Sequence, residues 1–329
     1  MTDLTENIKL MLLETGRIKP GQDLLIISDT HKRARSIANT FTDVAKSIGI
    51  QTVLVMMDPR QFSGQEPPPC VAVAMLKVDA IIEFCDGEPI THTNARRDAS
   101  AAGIKFFLLH GGVAEDFLSS PISLDELMKI KAQTEKLTAM LTSADSARVT
   151  SPFGTDITMS LKDREGLPVC PFAEKGHETL IDYAEAAISP VEGTTQGLVV
   201  VDAGIRGGWG RILQAPLSFQ VKAGRALVDT VTSENAEEAN GFKEILQMAE
   251  NADNCAAELG IGTAHTVPRK LRGDNMRDYS MAGNIHLAIG RNNDIGGQTW
   301  SEVHLDILIT RANVELGGTR VVENGQLNI

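Results

Sequence analysis

The chain has 329 residues, 42% of them apolar, enough to bury a large core in one domain or, on the change of character described below, in two. A formal net charge of −12 without any basic stripe argues against a nucleic-acid partner, which normally meets a basic surface. No apolar run approaches the roughly 20 residues needed to cross a bilayer, and no charged n-region precedes an apolar h-region, so a cytoplasmic chain with no membrane partner is expected.

The first third alternates strand and helix signals. Leu24-Leu25-Ile26-Ile27-Ser28, Thr52 to Met57, Ala80 to Phe84 and Lys105 to Leu109 are short, near-continuous apolar runs. Helical stretches lie between them, including Arg33 to Ile48 and Thr93 to Ala102, with Gly49 and Gly103 placed as C-terminal stops. Strand, helix and strand in this rhythm imply right-handed crossovers and a parallel sheet covered on both faces. The expectation is a flavodoxin-like or Rossmann-like layer structure over residues 1–143. The first strand runs into Asp29-Thr30-His31-Lys32, not into a glycine-rich turn, so the dinucleotide fingerprint is missing and this half reads as a scaffold and oligomer surface. His92 is placed to cap the helix that begins at Thr93.

A helix from about Leu124 to Leu141, with Leu127, Ile130 and Leu137 on one face, leads out of this region. Beyond Ser143 glycines become dense and extended segments take over: Arg148-Val149-Thr150, Ile157 to Leu161, Leu198 to Asp202, Leu217 to Val221 and Leu227 to Val231. Lys222-Ala223-Gly224-Arg225 reads as a hairpin turn. One helix, Ala236 to Glu250, carries only a partial capping signal at Ser233. Residues 144–329 are therefore expected to form a mainly antiparallel β domain. Cys70, Cys85, Cys170 and Cys255 lie far apart with no C-x-x-C pair, which suits packed thiols better than a disulfide framework or zinc knot.

Three segments of this second region carry chemistry. In Val303-His304-Leu305-Asp306-Ile307 alternate residues share a strand face, so an imidazole and a carboxylate aim at one point. Gly283 to Gly290 alternates in the same way, burying Ile285, Leu287 and Ile289 and leaving His286 among small residues. Ala257 to Gly262 puts Glu258 on the same face as two glycines. A lone H-x-D pair is more often a buried hydrogen-bonded couple. Polar residues central in apolar strands, however, are rare unless paired or ligating.

These motifs, in order with Glu192 of Ser189-Pro190-Val191-Glu192-Gly193, resemble the ligand set of the thermophilic metalloprotease or aminopeptidase T family. Gln65-Glu66-Pro67-Pro68, Val78 to Ile82 and Thr91-His92-Thr93-Asn94-Ala95-Arg96 resemble its first domain. The resemblance implies a dimeric two-metal aminopeptidase with Glu192, Glu258, His286, His304 and Asp306 as ligands. That family carries a tyrosine shortly after the position of His286, where this chain has Arg291-Asn292-Asn293-Asp294; Tyr183 and Tyr279 stand elsewhere. The same superfamily contains 2,5-dihydroxypyridine 5,6-dioxygenase, a mononuclear iron enzyme, which has histidine at the position of Glu258 and no histidine at that of His286.

The donors allow two chemistries. Five ligands are enough for two zinc, cobalt or manganese ions with activated water, suited to hydrolysis of an amide in a peptide or small molecule, with Glu192 or Glu258 available as an uncoordinated general base. His286, His304 and Asp306 alone would form the two-histidine, one-carboxylate face of a non-haem Fe(II) dioxygenase. The hydrolase is the leading expectation and the dioxygenase its alternative. Arg206, in the glycine-rich Gly204 to Trp209, is a candidate clamp for a substrate carboxylate, and His265 a candidate substrate contact. His31, His110 and His177 have no ligand-spaced partner.

Overall fold

The computed structural model describes every residue except 1, 62–63, 111–122, 174–177, 181–182, 206–210, 268–269, 272 and 274. The chain forms two compact units, one of residues 1–131 and 169–183, the other of residues 132–168 and 184–329. This differs from a single crossing at residue 143. The division falls inside the helix Leu124–Ser143, and a short later segment returns to the first unit.

In the first unit β1 (Asp23–Asp29), β2 (Gln51–Met57), β3 (Ala80–Cys85) and β4 (Lys105–His110) are parallel, in the order β2-β1-β3-β4. The returning β5 (Glu178–Leu180) adds to β4, giving a flavodoxin-like order. β1 and β3 are buried almost throughout, as parallel strands covered on both faces must be. The helix Lys32–Ser47 lays Ala34, Ile37, Ala38, Phe41 and Ala45 against them, and Phe41 packs on Phe84 with ring centroids 4.8 Å apart. The helix Asn94–Ala101 is capped by Thr93, whose hydroxyl accepts from the Arg96 amide at 3.2 Å; His92 is not its cap.

The second unit contains two sheets. Among the described residues one has nine strands, with Leu217–Lys222, Gln196–Val201, Asp156–Ser160, Ser146–Thr150 and Asn313–Leu316 at its centre, all antiparallel. The other has seven, including β6 (Glu185–Ile188), β7 (Cys255–Gly262), β8 (Ile285–Gly290) and β9 (His304–Ile309) as antiparallel neighbours in that order. Val149, Ile157, Val199 and Phe219 of the first sheet and Leu259, Leu287 and Ile307 of the second belong to one core, so these sheets pack face to face. Ala223 and Gly224, both at positive φ, make the two-residue hairpin turn at which Lys222 pairs with Arg225. The helix Ala236–Gln247 is capped by Asn235, which accepts from the amides of Glu237 and Glu238, so the effective cap lies two residues beyond Ser233.

Phe219 is fully buried and packs on Phe242 at 5.2 Å between centroids. Phe219→Ala should destabilise this unit by about 3–5 kcal/mol, read as a lowered midpoint in urea unfolding.

Candidate metal centre

The register of β7, β8 and β9 builds the centre. Leu259 pairs with Leu287 and Leu287 with Ile307, and all three face the core. The alternate residues fall on the other face: Glu258 lies opposite Ala288 and Ala288 opposite Asp306, while Gly260 lies opposite His286 and Gly290 opposite His304. β6 places Glu185 opposite Gly262, on that same face. Every ligand-type residue thus has glycine or alanine directly across from it on at least one side, while His286 has Leu308 on its other side. Gly260 is required there, since a methyl group on it would overlap the His286 imidazole and crowd Glu185 Oε2.

The side chains converge in two groups that share one carboxylate. Glu185, Glu258 and His286 offer donor atoms within 4.8 Å of one another, as do Glu258, His304 and Asp306, and all five residues are buried. His286 Nε2 lies 3.2 Å from Glu185 Oε2 and 3.8 Å from Glu258 Oε1. His304 Nε2 lies 3.4 Å from Glu258 Oε2 and 3.3 Å from Asp306 Oδ1. Glu258 therefore turns one oxygen to each histidine. His304 Nδ1 is 2.7 Å from the Arg291 carbonyl oxygen, which can only accept, so Nδ1 holds a proton and Nε2 faces the carboxylates.

Burial alone would raise the pKa of Glu258, but the two histidines outweigh it and hold the carboxylate down at about 2. Burial would lower His286, but Glu185, Glu258 and Asp306 together raise it to about 9. His304 is pushed well above its ordinary value, against burial, by Asp306 and Glu258. Even with both imidazoles protonated, three carboxylates leave the cluster one negative charge in excess. Three of the four nitrogen–oxygen separations, 3.2 to 3.4 Å, match a divalent cation whose ligand atoms at bonds of about 2.1 Å lie roughly 3.0–3.4 Å apart, and the fourth, His286 to Glu258 at 3.8 Å, is wider. His286 Nδ1 is buried without a hydrogen-bond partner among the described residues.

The expected donors Glu258, His286, His304 and Asp306 meet here. His286 is grouped with Glu185 and Glu258 and not with His304 and Asp306, so the two-histidine, one-carboxylate triad is not among the compact donor groups of the described residues. Glu192 lies outside both groups. One of its oxygens accepts from Asn292 Nδ2 at 3.0 Å and the Gln298 amide at 2.7 Å, and the other pairs with Arg164, so both oxygens are engaged away from the cluster. Glu185 stands in the cluster in its place. Its signal in the sequence was a glutamate inside Ala184-Glu185-Ala186-Ala187-Ile188, a run of small and apolar residues. Tyr279, seven residues before His286, packs edge-on to it with ring centroids 5.3 Å apart and donates its hydroxyl to the Asp306 carbonyl at 3.2 Å. His265 is exposed in the turn after β7. Arg206, Trp209 and His177 lie outside the described residues.

The family described as NicX, 2,5-dihydroxypyridine 5,6-dioxygenase, matches residues 8–329, and the chain belongs to that family. Among solved structures it is similar to the 2,5-dihydroxypyridine dioxygenase from Pseudomonas putida KT2440, with a TM-score of 0.81 and 15% identity over 99% of this chain and 97% of that one. It is also similar to wild-type AmpT from Thermus thermophilus, with a TM-score of 0.70 and 14% identity over 100% and 99% of the two chains. A search of curated proteins finds no match. The chain is thus a metal-dependent enzyme of the NicX family, and it shares its fold with AmpT. No described helix is long and apolar enough to cross a membrane.

Two outcomes follow from this geometry. Gly260→Ala should displace His286 and Glu185 and weaken cation binding, measured by metal analysis after dialysis, while the far-ultraviolet circular dichroism stays native. Because the folded pKa of His286, about 9, exceeds its ordinary 6.5, its contribution to the stability of the metal-free protein is full below about 6.5 and is lost as pH rises through about 9. A cation must displace those protons, so its affinity should rise over the same window. Calorimetric titration at pH 7 in buffers of different ionisation heat should show proton release, and its absence would mean that the histidines are not ligands.

Proposed function

We propose that the chain is a non-haem, Fe(II)-dependent dioxygenase that opens the ring of a small hydroxylated nitrogen heterocycle of the 2,5-dihydroxypyridine class. The observation that carries this reading is membership of the dioxygenase family over residues 8–329. The centre supports it with three buried donors, Glu258, His304 and Asp306, directed at one point. When bound there, ferrous iron supplies open positions at which dioxygen and a chelating substrate meet. His304 is oriented through Nδ1 by the Arg291 carbonyl, and Glu258 and Asp306 offset the charge of the ion. Arg206 is proposed, on its chemistry alone, to hold an anionic substituent of the substrate.

The leading sequence expectation, a hydrolase, becomes the second reading. It is favoured by the additional group of Glu185, Glu258 and His286, which gives Glu258 the placement of a carboxylate shared between two ions. In that reading two zinc, cobalt or manganese ions activate water against an amide of a short peptide or small molecule, and Glu192 is not a ligand.

Turnover of 2,5-dihydroxypyridine by the iron-loaded protein should cease under strict anaerobiosis, and both atoms of isotopically labelled dioxygen should enter the product. Amide turnover without oxygen, with label taken from water and two ions per chain, would replace the dioxygenase with the hydrolase.

A further inference from the structure

We propose that Glu192 is a positioning residue that brackets the loop Arg291 to Trp300 and thereby holds the Arg291 carbonyl against His304, fixing which imidazole nitrogen faces the cation. The proposal rests on the reading of His304 as a ligand. The loop has no regular secondary structure of its own, so its shape depends on the groups that tie it down. Asn292, fully buried, is its hub: its Oδ1 accepts from the Thr299 amide at 2.8 Å, and its Nδ2 donates to Ser189 Oγ at 2.9 Å and to Glu192 Oε1 at 3.0 Å.

Glu192 closes the bracket from the other side. Its Oε1 also accepts from the Gln298 amide, and its Oε2 takes Arg164, whose Nη1 donates to the Gly296 carbonyl at 2.6 Å. One carboxylate thus joins both arms of the loop to the segment that follows β6. The residue next to the hub is Arg291, whose amide donates to the Val303 carbonyl at 2.7 Å and whose carbonyl receives His304 Nδ1. With the hub fixed, that carbonyl has one place to point. Ser189 extends the tie by donating to the Ala257 carbonyl at 3.0 Å, beside Glu258.

A ligand and a bracket respond differently to amidation. Glutamine loses the Arg164 arm but keeps a carbonyl oxygen that accepts from Asn292 and Gln298, the two contacts that join the arms of the loop, and it is a poor substitute for a ligating carboxylate. The metal-free protein, labelled with 15N-histidine, reports the His304 Nδ1 proton by NMR, and zinc affinity is read by competition with a chelating dye. The native protein and Glu192→Gln should show a downfield, slowly exchanging Nδ1 proton and zinc Kd values within about threefold of each other. In Glu192→Ala the signal should vanish and zinc should bind roughly 10–100-fold more weakly, the usual cost of losing a partner that orients a ligand. If Glu192→Ala does not fold, Asn292→Ala breaks the same bracket and should lose the same signal. An unchanged signal and Kd in the alanine variant overturns the proposal. So does loss of zinc from Glu192→Gln with the proton signal intact, which would make Glu192 a ligand. Native zinc affinity in His304→Ala would instead sink the ligand reading and the metal half of the proposal, while the proton signal would still decide the bracket.

Discussion

Burying three carboxylates and two imidazoles on one face of a sheet is the constraint on which the second unit depends. An isolated buried charge costs several kcal/mol, and such groups persist only when paired or when a cation joins them. Each histidine here sits between carboxylates of different strands, and Glu258 serves both. The arrangement is therefore only as good as the pairing register. Moving one strand by a single residue would turn its ligand into the core and a leucine or isoleucine into the site. The apolar faces of β7, β8 and β9, locked against the nine-stranded sheet, prevent that slip.

Small residues complete the design. Side chains directly across an antiparallel pair stand about 5 Å apart, so two large groups opposite each other would fill the space that a cation and a substrate need. Gly260, Ala288 and Gly290 leave it open. The cost is a sheet face with little apolar packing of its own, supported instead by Tyr279 against His286 and by the loop that carries Arg291.

The two similar solved structures share this fold at 14–15% identity, as expected when a stable frame outlasts most of its side chains. In this chain the donors form two groups, Glu185, Glu258 and His286 in one and Glu258, His304 and Asp306 in the other, with Glu258 common to both. Family membership and donor count thus bear on different properties: the first on the reaction to which this fold is adapted, the second on how many cations the site can hold.

Local periodicity determined much of this protein. The four parallel strands, the helices between them, and the alternation that aims His286, His304 and Asp306 away from the core are written in neighbouring residues, because strand faces repeat every second position. The hairpin at Ala223-Gly224 was legible from its glycine, which adopts a positive φ without strain. Long-range pairing decided the rest. Only the tertiary structure adds Glu178–Leu180 to β4, places Glu185 rather than Glu192 among the clustered donors, and brings Glu258, His286 and His304 within reach of one another. Glu185 and Glu192 are seven residues apart and both precede the same β segment, so sequence order cannot separate them. The difference is made by pairing: Glu185 lies on a strand held in register with β7, whereas Glu192 lies beyond that strand's end, where Arg164, Asn292 and Gln298 reach it first.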